Sequence, residues 1–107
     1  MGLKINETLN TPDGGVIESG SIVKFSATFP EDSLGLQCYL SVYRSQDAYD
    51  AGKQKIRKVN EFNMNFTKTF TEAEYAVLSP VIIHTELKSW LMDQLGTTDD
   101  TKVDIEL

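Results

Sequence analysis

SIVKFSATFPEDSLGLQCYLSVY, residues 21–43, alternates apolar and polar side chains in two runs around a short break. In the first run Val23, Phe25, Ala27 and Phe29 alternate with Lys24, Ser26 and Thr28. Successive strand residues point to opposite faces, so this pattern predicts a strand with one face in a core. Pro30–Gly35 breaks the alternation with Pro, Asp, Ser and Gly, the residues that favour turns. Leu36, Cys38, Leu40 and Val42 then take one face, and Gln37, Tyr39, Ser41 and Tyr43 the other. That second run predicts a strand in the interior of a sheet.

Upstream, residues 1–10 carry only Leu3, Ile5 and Leu9 in a weak alternation, which fits an edge strand or an arm laid on another surface. Thr11–Gly15, TPDGG, is turn chemistry. Downstream, KQKIRKV (53–59) and EFNMNFTKTF (61–70) predict two strands, or one long bent strand, with Phe62, Met64, Phe66 and Phe70 as apolar members.

After Phe70 the period changes from two to 3.6. Thr71 with Glu74 fits a capping box, and Ser79-Pro80 fits an N-cap followed by proline at the first helical position. A short helix near Glu72–Leu78 and a longer one from Pro80 to about Leu95 are expected, ended by Gly96. Ile83, Leu87, Trp90, Leu91 and Leu95 form the stripe of a helix laid on a sheet. TTDDTKVDIEL (97–107) starts as a polar linker and ends with Val103, Ile105 and Leu107 alternating, as a last strand or as an arm added to a neighbour's sheet edge. The fold class expected is α+β: a small antiparallel or sandwich-like sheet with the C-terminal helix packed on one face. The 107 residues suit one domain, with residues 1–10 and 97–107 as candidate extended arms.

A formal net charge of −6 argues against nucleic acid as the main partner, because phosphate-backbone affinity comes largely from lysine and arginine. The single Cys38 cannot form an internal disulfide. No apolar run reaches the roughly 18 residues of a membrane span. MGLKINETLN lacks the basic and hydrophobic regions of a secretory signal, so a cytosol is the expected compartment, including that of an infected cell.

Catalytic chemistry finds few groups. His84 is the lone histidine and reads as a surface or partly packed helical residue, since a general base needs partners. One His and one Cys fall short of a zinc ligand set. Cys38 lies on an apolar strand face, where cysteine behaves as a small hydrophobe. Asp47 and Asp50 do not have calcium-loop spacing, and Gly14-Gly15 lacks the residues of a phosphate loop. No cofactor, metal or catalytic residue is expected.

Contacts are better served. Lys53, Lys55, Arg57 and Lys58 gather four of the ten basic residues in KQKIRK. They read as a charged edge strand that discourages aggregation, or as a patch that meets acidic surface on a partner. The acidic C-terminal segment, with Asp99, Asp100, Asp104 and Glu106, is the complementary candidate interface. Trp90 reads as core.

In YRSQDAYDAGK (43–53), Ser45 can cap a short helix, Asp47 suits its first turn, and Gly52 can end it. A strand ending in Tyr and a small polar residue, then an acidic-aromatic-acidic turn and a Gly-Lys pair, resembles small structural proteins encoded among the virion genes of tailed bacteriophages. Tyr43, Ser45, Ala48, Tyr49, Gly52 and Lys53 carry the likeness, and FTEAEYAVLSP (70–80) followed by a helix with Trp90-Leu91 extends it over roughly Leu36–Leu95. The resemblance implies a non-enzymatic auxiliary or decoration protein of the phage head, or in the near alternative a head–tail connector or tail component. Its partners would be other virion proteins or copies of itself, with no nucleic acid or membrane, in the virion and before assembly in the host cytoplasm. A phage-encoded regulator that binds a host protein is the alternative from another class.

Overall fold

The computed structural model describes residues 2–106. Strands β1 (Gly2–Ile5), β4 (Ser21–Thr28), β5 (Gly35–Tyr43), β6 (Asn65–Thr69) and β7 (Val103–Glu106) form one antiparallel sheet in the order β6-β5-β4-β1-β7. A two-stranded hairpin, β2 (Leu9–Asn10) and β3 (Val16–Ile17), lies between β1 and β4 in the chain. Helices α1 (Gln46–Asp50), α2 (Glu72–Ala76) and α3 (Pro80–Leu95) complete the α+β fold. The result is a single five-stranded sheet with a helix on one face, and not a sandwich.

Alternation assigns the two faces. Leu3, Ile5, Val23, Leu36, Cys38, Leu40, Val42, Phe66 and Val103 are buried on one face, where they meet Ile83, Leu87 and Leu91 of α3 in a common core. The opposite face carries Lys4, Lys24, Gln37, Tyr39, Asp104 and Glu106, of which Tyr39 is 58% exposed. At one end of it α1 lies against β4 and β5, with Tyr49 edge-on to Tyr43 at 4.9 Å and the Lys24 ammonium 4.6 Å from the Tyr49 ring centre.

Helix α3 returns the chain from edge strand β6 to the opposite edge strand β7. Its 16 residues give about 24 Å at 1.5 Å per residue, close to the roughly 27 Å of an eight-residue strand. Its contacts reach from Lys68 and Phe66 of edge strand β6 to β1 and edge strand β7, so it spans the sheet from edge to edge. Glu86 Oε2 accepts from Lys68 Nζ of β6 at 2.6 Å, and Trp90 packs edge-on to Phe66 and Phe62, at 5.5 and 6.2 Å. Trp90 is thus half-buried at the rim of the core.

The helix ends follow their sequence signals. Ser79 Oγ accepts from the Ile82 N–H at 3.3 Å, Pro80 is the first helical residue, and Gly96 takes φ 70°. Thr71 and Glu74 form the reciprocal capping box of α2, and Ser45 Oγ accepts from the Ala48 N–H at 3.0 Å to start α1. Ser79→Ala should lower stability by about 1 kcal/mol, the usual worth of an N-cap hydroxyl, read as a lower urea midpoint with an unchanged slope.

Four expectations are corrected. Residues 2–10 do not form an edge strand of the main sheet or an arm: β1 sits inside the sheet, paired to β4 and β7, and Leu9–Asn10 pair with β3; Met1 lies outside the described residues. For residues 97–107 the last-strand reading holds and the arm does not: Asp99 caps a 3-10 turn (Asp100–Lys102) that leads into β7, paired to β1; Leu107 lies outside the described residues. KQKIRKV and the start of EFNMNF are not strands. Only Ile56 bridges to Val42, and β6 begins at Asn65. The reason is competition: Glu61 accepts from the Asn10 N–H at 3.0 Å and from its side-chain amide at 2.8 Å, which pulls this segment toward the β2–β3 hairpin. Finally, the β4 face predicted to be buried is so at Val23, partly so at Phe25, and not beyond, because the β4–β5 hairpin extends past α3 and leaves Ala27 and Phe29 exposed.

Candidate interaction surfaces on the sheet edges

The basic segment lies beside β5. The Ile56 N–H donates to Val42 O at 2.7 Å, so residues 54–57 continue the edge that β6 occupies farther along β5. Ile56 is half-buried, while Lys53, Lys55, Arg57 and Lys58 are exposed. Lys55, Arg57 and Lys58 line one wall of a cleft of about 580 Å³, with Arg44 and the Thr11–Gly15 turn opposite.

Bonds beside that cleft tie the β2–β3 hairpin to the segments next to it. Arg44 Nη1 donates to Val16 O at 3.2 Å, and the Asn60 N–H donates to Asn10 O at 2.7 Å. Asp13 is the one carboxylate among the lining residues. The Thr11 hydroxyl and the Gly15 N–H donate to it and hold its carboxyl below the ordinary aspartate value. Asp13 is thereby committed to its own turn, and the cationic side chains dominate the cleft.

The acidic candidates lie at the other end of the strand order. Asp104 and Glu106 are exposed on edge strand β7, and Asp104 Oδ2 accepts from Asn6 Nδ2 at 2.9 Å. Asp99 is held anionic by the Thr101 hydroxyl, at 2.6 Å, and then by the Thr101 N–H, at 3.0 Å. The structure keeps the four cations together and the four acids together, and separates the two sets by the width of the sheet.

His84 corrects the sequence reading. It is fully buried, its Nδ1 donates to Pro80 O at 2.6 Å, and its ring stands edge-on to Phe25 at 4.9 Å. Its Nε2 has no hydrogen-bond partner among the described residues. The signal that could have placed it was position: His84 stands three residues before Leu87 and seven before Leu91, on the buried stripe. Among the described residues, no group of three or more His, Cys, Asp or Glu is placed to hold a metal ion.

Burial pushes the Cys38 thiol up to about 11 from 9.0. The folded protein keeps the thiol protonated where the unfolded chain ionises, so this group costs stability as pH rises from 9.0 toward about 11. Cys38→Ala should therefore show a shallower loss of stability over that interval than the parent protein. A thiol reagent at about pH 8 should react with Cys38 only after denaturant is added.

Comparison with known proteins identifies no relative: no family model matches the chain, no curated protein matches its sequence, and no solved structure matches it. None of the described helices is long and apolar enough to cross a membrane.

Proposed function

We propose that the chain is a non-enzymatic structural component of a tailed-phage particle, an auxiliary or decoration protein that works by binding other particle subunits. One observation carries this reading: exposed charge of opposite sign lies on opposite edges of a small, well-capped sheet-and-helix domain. Such an arrangement serves recognition between surfaces, where complementary charge steers and orients docking partners. The segment on which the phage resemblance rests supports it further. Tyr43–Lys53 folds as a capped connector, with Gly52 at φ 70° and Tyr49 packed on Tyr43. Its side chains are spent on making a turn.

Its partners are then capsid or tail subunits and copies of itself, met in the host cytoplasm and retained in the virion. Mass spectrometry of purified particles should find the protein in a fixed ratio to the major head or tail subunit. Recovery from the infected-cell lysate with one stoichiometric host protein, together with absence from particles, would overturn the proposal and favour a regulator.

A further inference from the structure

The register of the sheet places the two charged sets at the same level. Ile105 pairs with Leu3, Leu3 with Val23, Val23 with Val42, and Val42 with Ile56. One straight row of apolar residues thus crosses the molecule and ends in an isoleucine at each edge. Asp104 and Glu106 flank the first; Lys55 and Arg57 flank the second. All four charged side chains are exposed. Alternation along β7 puts Asp104 and Glu106 on the sheet face opposite α3; Lys55 and Arg57 flank the single Ile56 bridge and border the cleft beside the Thr11–Gly15 turn.

From these positions we infer that the Asp104–Ile105–Glu106 edge of one copy docks on the Lys55–Ile56–Arg57 edge of a second copy, so that the sheet continues from molecule to molecule. The backbone is disposed for it. The Asn6 N–H donates to Lys102 O, which makes Lys102, and with it Asp104 and Glu106, the residues that bond to β1. Val103 and Ile105 consequently turn their N–H and C=O outward. On the other edge Ile56 is bonded inward to Val42, which turns the backbone groups of Lys55 and Arg57 outward.

In a parallel pairing, Ile105 opposite Ile56 bonds to the residues on either side of it, Lys55 and Arg57. Asp104 then lies beside Lys55 and Glu106 beside Arg57, with both cores on the same side. The two strands do run the same way, because β7 is antiparallel to β1 and the 56 bridge is antiparallel to β5. The two patches differ, so the contact is heterologous. It leaves a free edge on each outer copy and builds rings or filaments instead of a closed two-fold dimer. The inference stands on the sheet edges and does not require the particle reading.

Sedimentation of the purified full chain tests it, with Lys55→Glu/Arg57→Glu and Asp104→Lys/Glu106→Lys as charge reversals. The parent protein should associate with rising concentration, and about 1 M salt, where charges are screened beyond about 3 Å, should weaken this about tenfold. Each reversal variant alone should lose association by about tenfold or more, since like charges then face each other. Mixing the two should restore it, because one now has two basic edges and the other two acidic ones. Glu72→Lys/Asp93→Lys, which changes net charge as the acidic-edge reversal does but on exposed helix positions, should leave association intact. Should circular dichroism show that the Asp104→Lys/Glu106→Lys variant fails to fold, Glu106→Lys alone takes its place. A parent protein that stays monomeric at millimolar concentration, or reversal variants that assemble as it does or fail to assemble when mixed, overturns the inference. Self-association in a protein missing from particles would leave the inference standing and remove the particle reading.

Discussion

Leu87→Ala should lower the stability of the protein by about 3 kcal/mol or more, the upper part of what a buried leucine-to-alanine change costs. Leu87 is 0% exposed and lies midway along α3, between Ile83 and Leu91, against the core face of the sheet. Truncation removes apolar contact on the helix and leaves a void that the sheet cannot close. Its backbone is held by four strand neighbour pairs, in which β4 and β5 alone share seven paired positions. Helix propensity does not offset the loss, since leucine and alanine differ little in a helix. Urea unfolding should show the midpoint falling with little change in slope. A loss below about 1 kcal/mol would mean that α3 does not pack on the sheet as described.

Val103→Asp should have the larger effect, a loss of about 4 kcal/mol or more, enough to unfold a domain of ordinary stability in part. Val103 is 0% exposed on the core face of β7, paired to Ile5. A carboxylate there sits in the apolar core and must either ionise in that surround or carry a proton to avoid doing so. The second course makes the variant more stable at acid pH than at neutral pH, relative to the parent. A free C-terminal arm would tolerate the change, so this variant separates strand from arm. Asp104→Asn, one residue on, is exposed and should cost far less.

Local signals carried much of the fold. The capping box at Thr71 and Glu74, the Ser79-Pro80 start and the Gly96 stop are short-range chemistry, and the helices begin and end where those residues stand. The alternation of Leu36, Cys38, Leu40 and Val42 gave a correct buried face because β5 is paired on both sides along most of its length. Where partners are distant in the chain, the pattern was insufficient. Nothing local says that Leu3 and Ile5 join a strand about a hundred residues away, or that Glu61 bonds Asn10 across 51 residues. Phe29 alternates as well as Val23 does, yet it stays 48% exposed beyond β4, where its ring meets Tyr75 of α2 edge-on at 6.1 Å and is not covered by α3.

The charged surfaces were legible as composition and not as placement. KQKIRK and VDIE were recognisable as opposite charges; their equal level on opposite edges depends on the registers of three strand pairings and one isolated bridge. His84 was misread because its polarity outweighed its position. A carbonyl four residues back, at Pro80, gives its Nδ1–H the partner that lets it enter the core.

The central claim, that this chain is a structural subunit of a phage particle, is tested most directly by electron-microscopy maps of particles with and without the gene. The account predicts difference density at repeated positions, each matching a five-stranded sheet covered by one long helix, with charged sheet edges turned to neighbouring subunits. Superimposable maps from particles that differ only in this gene would contradict it.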